Sequence, residues 1–131
     1  MAVRSFLADA RAIAGPVALI NERTGQALAS AVEIAGTSAT RRRGLLGRDR
    51  LDPSTALIIA PCSAIHMFFM RFAIDAVFVD RDGRVRKIAH DLRPWRIATS
   101  FRAYAVIEMS SGTARRSDLI VGDRVSLCAE S

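Results

Sequence analysis

The chain has 131 residues, of which half are hydrophobic and 24% are charged, a composition that indicates one globular domain and excludes a disordered chain. Its net charge of +6 comes from 19 basic residues, of which Lys87 alone is lysine, and this arginine bias is only a weak indication of nucleic acid as a partner. Asp9 and Arg11 lie where an export signal or a membrane span needs apolar residues, so we expect a cytoplasmic protein that does not enter membranes.

The first third of the chain is predicted to contain both of its helices. Residues 1–15 form an N-terminal arm or short helix, because their apolar side chains recur at helical spacing, and 16–131 form a single β-rich domain. Residues 17–36 have the pattern of a strand, a turn and a longer strand. A short helix is predicted near 38–46, with Gly47 ending it.

The middle of the chain contains the run Ile65–Asp80, "IHMFFMRFAIDAVFVD". Residues 65–71 are predicted to form a strand that is apolar on both faces up to Arg71, and therefore covered on both sides. After this strand, Asp82 and Gly83 separate two β-rich segments, which is a strong signal for a hairpin.

The last third is predicted to alternate loops and strands. Residues 93–101 form a loop in which Trp95 pairs with its arginine neighbours, 103–110 form a strand, 111–123 form a turn with one helical turn, and 124–129 form the closing strand. Seven or eight short strands without alternating long helices predict a mainly β fold. We expect a compact, jelly-roll-like sandwich or a partly closed barrel.

The sequence contains few motifs that indicate catalysis, metal binding or a cofactor. Cys62 and Cys128 lie far apart and lack the spacing of a metal site; they can pair if their strands are neighbours, but we expect buried reduced thiols. The chain has no glycine-rich phosphate loop, no Ser-His-Asp order and no CxxC pair. We therefore assign no metal, no cofactor and no catalytic residue.

His66 has two interpretations. In the structural one, its ring packs on Phe68 and a ring nitrogen donates to a backbone carbonyl; in the functional one, it is a ligand or a general base near neutral pH. Asp75 opens the next strand, where it can accept hydrogen bonds from turn amides or pair with Arg71 across a bend of the chain. Such a pair is more often structural, because removing one buried partner leaves the other charge alone.

Glu108 lies in an apolar strand and needs a partner if it is buried, which Arg48 or Arg43 can supply. A polar cluster beside an aromatic wall is the usual composition of a pocket. The predicted pocket rim consists of Arg48, His66, Arg71, Asp75 and Glu108.

The densest positive region contains Arg41, Arg42 and Arg43, followed by Arg48 and Arg50. A solvated face is the ordinary interpretation of such a run, and weak binding of a polyanion is the alternative. The aromatic side chains that stack on bases are missing from this run, so nucleic acid is not the expected partner.

Four blocks of sequence, "TRRRGLLGRDRL", "ALIIAP", "IHMFFMRFAIDAVFVDRDGRV" and "AVIEMSSGTARRSDLIVGDRV", together resemble family 192 of the domains of unknown function over about residues 26–127. The resemblance implies a small β-sandwich, similar to a jelly roll, with one short helix and no established activity. Arg48, Asp75 and Glu108 match the family pattern. Many relatives carry Trp at the position of His66, which makes this histidine a poor candidate for a residue used by the whole family.

Three functions remain open. The leading hypothesis is a non-catalytic module that binds a small molecule or a peptide at the predicted rim. The second is a hydrolase or isomerase that uses His66 with Asp75 or Glu108. It requires that His66 lie within hydrogen-bond distance of one of these carboxylates in an open cleft. The third is weak binding of polyanions or nucleic acid through Arg41–Arg50 and the pair at 115–116.

Overall fold

The computed structural model describes residues 17–35 and 48–129, and this part of the chain is mainly β, as predicted. Its elements are β1 Val17–Asn21, β2 Ala27–Ala29, β3 Ala31–Ala35, β4 Thr55–Ile59, β5 Ala64–His66, β6 Ile74–Val79, β7 Val85–Leu92, β8 Ile97–Thr99, β9 Ala105–Ser110, the helix α1 Thr113–Arg116, and β10 Val125–Ala129. The arm or helix predicted at 1–15 and the helix predicted near 38–46 lie outside the described residues.

A five-stranded sheet in the order β3-β4-β9-β6-β7 forms the centre of the molecule. Every residue of β6 is buried, and five of the six in β9 are buried, because both strands carry apolar side chains on both faces. β3 and β4 are parallel while the other neighbours are antiparallel. The sequence lacks alternating strands and long helices, a pattern that disfavours parallel strands, so this parallel pair was not predicted.

Both faces of the central sheet are covered. The three-stranded sheet β10-β1-β2 packs on one face, where the side chains of Val77 and Ile107 point, and the two-stranded sheet β5-β8 packs on the other, against Phe78 and Val106. Successive side chains of a strand point to opposite faces, so β6 and β9 each contribute to two cores. The described strands form open layers and do not close into a barrel.

The predicted hairpin at Asp82 and Gly83 is confirmed and joins β6 to β7. Gly83 has a φ of 85°, a conformation that costs glycine little. The Oδ1 atom of Asp80 accepts hydrogen bonds from the backbone N–H groups of Asp82 and Arg84, at 2.9 and 3.0 Å. Local turn chemistry therefore fixes the register of these two strands.

Other expectations about the strands were wrong. The strand predicted over 65–71 ends at His66, and 67–73 form a loop instead. The strand predicted before Gly36 is split at Ser30 into β2 and β3, which belong to different sheets. The split arises because the N–H groups of Ser30 and Ala31 both donate to the carbonyl of Ser54, at 2.9 and 3.1 Å, which turns the chain from one sheet into the next.

Cys128 is exposed and Cys62 is half-buried, so the prediction that both thiols are buried was wrong. The described part of the chain contains no helix of sufficient length and apolar character to cross a bilayer.

Candidate functional site

His66 ends β5 and lies beside Phe68, as the structural interpretation predicted. The two ring centroids are 4.7 Å apart with an interplanar angle of 28°, which is a stacked arrangement. The backbone N–H of Phe68 donates to Nδ1 of His66 at 3.4 Å.

The His66 ring is the inner member of a cluster of four rings, which we call the aromatic ledge and which comprises His66, Phe68, Phe69 and Trp95. Trp95 lies 5.8 Å from Phe68 and 4.8 Å from Phe69, measured between ring centroids. The exposed fractions are 70% for Phe69, 58% for Trp95 and 37% for Phe68. The predicted pairing of Trp95 with arginine is replaced by these aromatic contacts.

Two loops hold the aromatic ledge, and backbone hydrogen bonds join them. The N–H of Trp95 donates to the carbonyl of Met67, and the N–H of Met67 donates to the carbonyl of Arg96, both at 2.8 Å. The side chains of Met67 and Met70 are buried in the core on that face of the central sheet. The exposed rings of the ledge thus belong to loops that backbone hydrogen bonds and buried methionine side chains hold in place.

Phe69 and Trp95 both have backbone conformations that bulky residues rarely adopt. Their φ angles are 66° and 69°, in the left-handed region. Such a conformation costs roughly 1–2 kcal/mol per residue for a side chain with a Cβ atom. The two most exposed rings of the ledge are therefore also its two strained residues, a combination typical of functional surfaces.

Three arginines lie within two residues of Phe69 or Trp95 along the chain. Arg71 pairs with Asp49 at 3.5 Å and Arg93 with Asp91 at 3.7 Å, and both arginine side chains are largely exposed. Arg96, next to Trp95, is exposed as well. Exposed ion pairs of this kind contribute about 0–1 kcal/mol, so these guanidinium groups can exchange partners at little cost.

Of the two possibilities for Asp75, the structure has the hydrogen bonds to backbone amides and not the ion pair with Arg71. Its carboxylate is fully buried, and Oδ1 accepts from the N–H of Asp91 at 2.9 Å. Oδ2 accepts from the N–H groups of Gly112 and Ala114, at 3.1 and 2.9 Å. The carboxylate satisfies three backbone donors and connects β6 with β7 and with the start of α1.

Glu108 lies on the opposite face of the central sheet from Asp75. In the register between β6 and β9, Asp75 is opposite Met109 and Ala76 is opposite Glu108. Adjacent positions of a strand point to opposite faces, so the two buried carboxylates are separated by the sheet itself. The hydrolase or isomerase hypothesis needs His66 beside Asp75 or Glu108 in an open cleft, and the full burial of both carboxylates disfavours it.

The five residues of the predicted rim are thus not brought together. His66 and Arg71 belong to the surface around the aromatic ledge, Asp75 and Glu108 are buried on opposite faces, and Arg48 is exposed. The basic residues Arg41, Arg42 and Arg43 lie outside the described residues. Among the residues with coordinates described here, no three His, Cys, Asp or Glu side chains converge on a possible metal site.

The sequence-based prediction missed Phe69 and Trp95 as surface residues. Phe69 lies in an almost continuous apolar run, which predicts burial. Trp95 carried a usable signal, because it follows Pro94 in a segment with arginine on both sides, and an aromatic residue in such a polar loop has no core to enter.

Comparison with known proteins identifies relatives of the whole described fold. Residues 19–127 match the model of the family DUF192, described as "Uncharacterized ACR". A UPF0127 protein of Pyrococcus abyssi is 36% identical over 114 residues, which cover 82% of this chain and 94% of the relative. A UPF0127 protein of Thermococcus gammatolerans is 34% identical and covers 82% of this chain and 73% of the relative.

Two crystal structures are similar to this fold. One, from Sinorhizobium meliloti, is described as a "putative transcription regulator" and has a TM-score of 0.72 at 25% identity, with 85% of this chain and 91% of that chain covered. The other, from Novosphingobium aromaticivorans, is described as a protein of unknown function and has a TM-score of 0.68 at 28% identity, with 85% and 83% covered.

Proposed function

The chain belongs to the uncharacterised family DUF192, and we propose that it is a non-catalytic module that binds an acidic peptide segment of a partner protein on the aromatic ledge. The observation that carries this proposal is the exposure of Phe69 and Trp95 in left-handed backbone conformations. Both the strain and the exposed apolar surface disfavour the isolated chain. A partner that covers these rings would recover part of that free energy as binding.

The arrangement of the rings favours a peptide. Phe68, Phe69 and Trp95 pack against one another and form one continuous apolar surface, which Ile97, 62% exposed and opposite His66 in the strand register, extends. A surface of this kind accepts aliphatic or aromatic side chains of a partner. Exposed Trp and Arg residues are also the residue types that contribute most to protein interfaces.

The charges around the ledge favour an acidic peptide. Arg71, Arg93 and Arg96 can each bind a carboxylate bidentately. A nucleic acid fits less well, because Asp49 and Asp91 lie among these arginines and would repel a continuous row of phosphates. The rings of the ledge also occupy one another's faces, whereas stacking of successive bases needs separate free faces.

Trp95 is the only tryptophan in the chain, so its fluorescence reports directly on the ledge. Titration with a hexapeptide of alternating Glu and Leu is expected to give a saturable change. A Lys-Leu peptide and a Glu-Ser peptide are expected to bind at least about tenfold more weakly. The first lacks the carboxylates that bind the arginines, and the second lacks the apolar side chains that pack on the rings. Absence of saturation with the Glu-Leu peptide, or tighter binding of a ten-residue oligothymidylate, would overturn the proposal.

Replacing Phe69 with asparagine is expected to weaken binding of the Glu-Leu peptide about tenfold without destabilising the fold. Asparagine tolerates a φ near 66°, so relief of strain offsets the lost ring contact, and the free energy of unfolding should stay unchanged or rise by up to about 1 kcal/mol. Calorimetric titration and urea unfolding measure the two effects. Phe101→Asn is the matched control, since that ring is 89% exposed and outside the ledge, and it should leave peptide binding intact.

A further inference from the structure

A cleft lies at the other end of the β5-β8 sheet from the aromatic ledge. His66 and Ile97 form the register pair at the ledge, whereas Ala64 and Thr99 form the pair at the opposite end. There, three segments, 61–64, 80–82 and 102–104, line an open cleft of about 780 Å³. This volume lies within the range of roughly 300–1,000 Å³ that is usual for small-molecule sites.

Tyr104 forms a fixed wall of this cleft. Its N–H donates to the carbonyl of Val79 at 2.8 Å, and its carbonyl accepts from the N–H of Cys62 at 2.9 Å. The guanidinium carbon of Arg81 lies 4.3 Å from the centre of the Tyr104 ring. This cation–π contact holds the Arg81 charge at the wall of the cleft without neutralising it.

Asp80, a half-buried acid that also lines the cleft, does not compete for that charge. Oδ1 of Asp80 accepts from two backbone N–H groups of its own turn, and Oδ2 pairs with Arg86 at 2.9 Å. The carboxylate of Asp80 is therefore already satisfied by groups other than Arg81.

Two arginines of the cleft are available to a ligand. Within residues 17–35 and 48–129, neither Arg81 nor Arg102 forms an ion pair, and both line the cleft. Asp82 is the one lining acid whose charge is not paired within these residues. Two cations against one anion give the cleft a positive balance beside the apolar surfaces of Pro61, Ala103 and the Tyr104 ring.

We propose that this cleft binds a small organic oxyanion, a carboxylate or a phosphate carried on a compact apolar body. Guanidinium groups bind both oxyanions in a bidentate manner, and the apolar walls accept the body of the ligand. The site is separate from the aromatic ledge and does not depend on the peptide-binding proposal.

Tyr104 is the only tyrosine in the chain, so protein labelled with 3-fluorotyrosine gives a single fluorine resonance that reports on the cleft. Benzoate and phenyl phosphate are the anionic probes, and benzyl alcohol is the uncharged control ligand. We expect a saturable shift with at least one anion, and an affinity for benzyl alcohol at least about tenfold lower. The stronger anion identifies the preferred oxyanion.

Single substitutions test whether Arg81 and Arg102 bind the anion. R81Q and R102Q are each expected to weaken binding of the stronger anion by about tenfold, while R115Q, which removes an exposed charge on α1 away from the cleft, should leave it unchanged. Circular dichroism establishes that each variant is folded. Absence of saturation with both anions, equal binding of benzyl alcohol, or an equal loss in R115Q would overturn the proposal.

Discussion

Replacing Asp75 with alanine is expected to lower the free energy of unfolding by about 3 kcal/mol or more. The carboxylate is fully buried and accepts three backbone hydrogen bonds, from Asp91, Gly112 and Ala114. Each buried donor that loses its partner costs roughly 1–3 kcal/mol, and bonds to a charged acceptor are the stronger kind. Urea unfolding monitored by circular dichroism measures the change.

Asp49→Ala is the control for this experiment, because Asp49 is an exposed acid whose loss should change stability by less than about 0.5 kcal/mol. Asp75→Asn separates a structural role from a binding role. The amide keeps the shape and one acceptor, so we expect a loss of about 2 kcal/mol and unchanged affinity for the Glu-Leu peptide. An Asp75→Asn protein of full stability that no longer binds the peptide would contradict the structural assignment.

Replacing Asp123 with alanine is expected to cost a similar amount, about 3 kcal/mol, because this buried carboxylate joins the β1–β2 turn to the loop before β10. It accepts from Nε of Arg23 at 2.7 Å, from Nδ2 of Asn21 at 3.0 Å and from the N–H of Ile120 at 3.0 Å. Asn21 is fully buried, so its amide would lose a partner it cannot replace with water.

The control for Asp123 is Asp118→Asn, because Asp118 contacts the same Arg23 but is 74% exposed, and asparagine tolerates its φ of 52°. We expect a loss below about 0.5 kcal/mol. Equal losses for the two positions in urea unfolding would show that exposure does not decide the contribution of these carboxylates.

The stabilising effect of Asp123 should also depend on pH. The hydrogen bond from Arg23 holds the pKa of Asp123 below its ordinary value, against the opposing effect of burial. A carboxyl whose pKa is lower in the folded chain stabilises fully above its unfolded pKa of about 3.9, and this contribution disappears as the pH falls through the folded pKa. The stability difference between the parent and Asp123→Asn should therefore shrink below about pH 4, and a difference that stays constant would contradict the assignment.

The sequence predicted those features that short-range chemistry decides. Asp82 and Gly83 specify the β6–β7 hairpin, and the two-residue spacing of His66 and Phe68 at the end of a strand brings their rings into contact. The single helical turn near Thr113 was also foreseen. In each case the interacting groups lie within a few residues of one another, so no knowledge of strand pairing is needed.

The candidate site was predicted less well, because its geometry depends on register and on exposure. Whether Asp75 and Glu108 share a face is decided by how β6 and β9 align, and a shift of one residue would reverse the answer. Apolar composition predicts burial for Phe69, and no local pattern identifies a phenylalanine in the left-handed region. The faces on which Asp75 and Glu108 lie and the exposure of Phe69 therefore depend on the three-dimensional fold.

The pairing of β1 with β10 has a consequence for synthesis of the protein. Val17 lies opposite Ala129 and Asn21 opposite Val125, so β10 leaves the ribosome about a hundred residues after β1, a delay of several seconds or more at roughly 5–20 residues per second. During that interval one apolar face of the central sheet has an incomplete cover. The nascent chain should then be a substrate for chaperones that hold exposed hydrophobic surface, and translation stalled before β10 should yield an aggregation-prone intermediate.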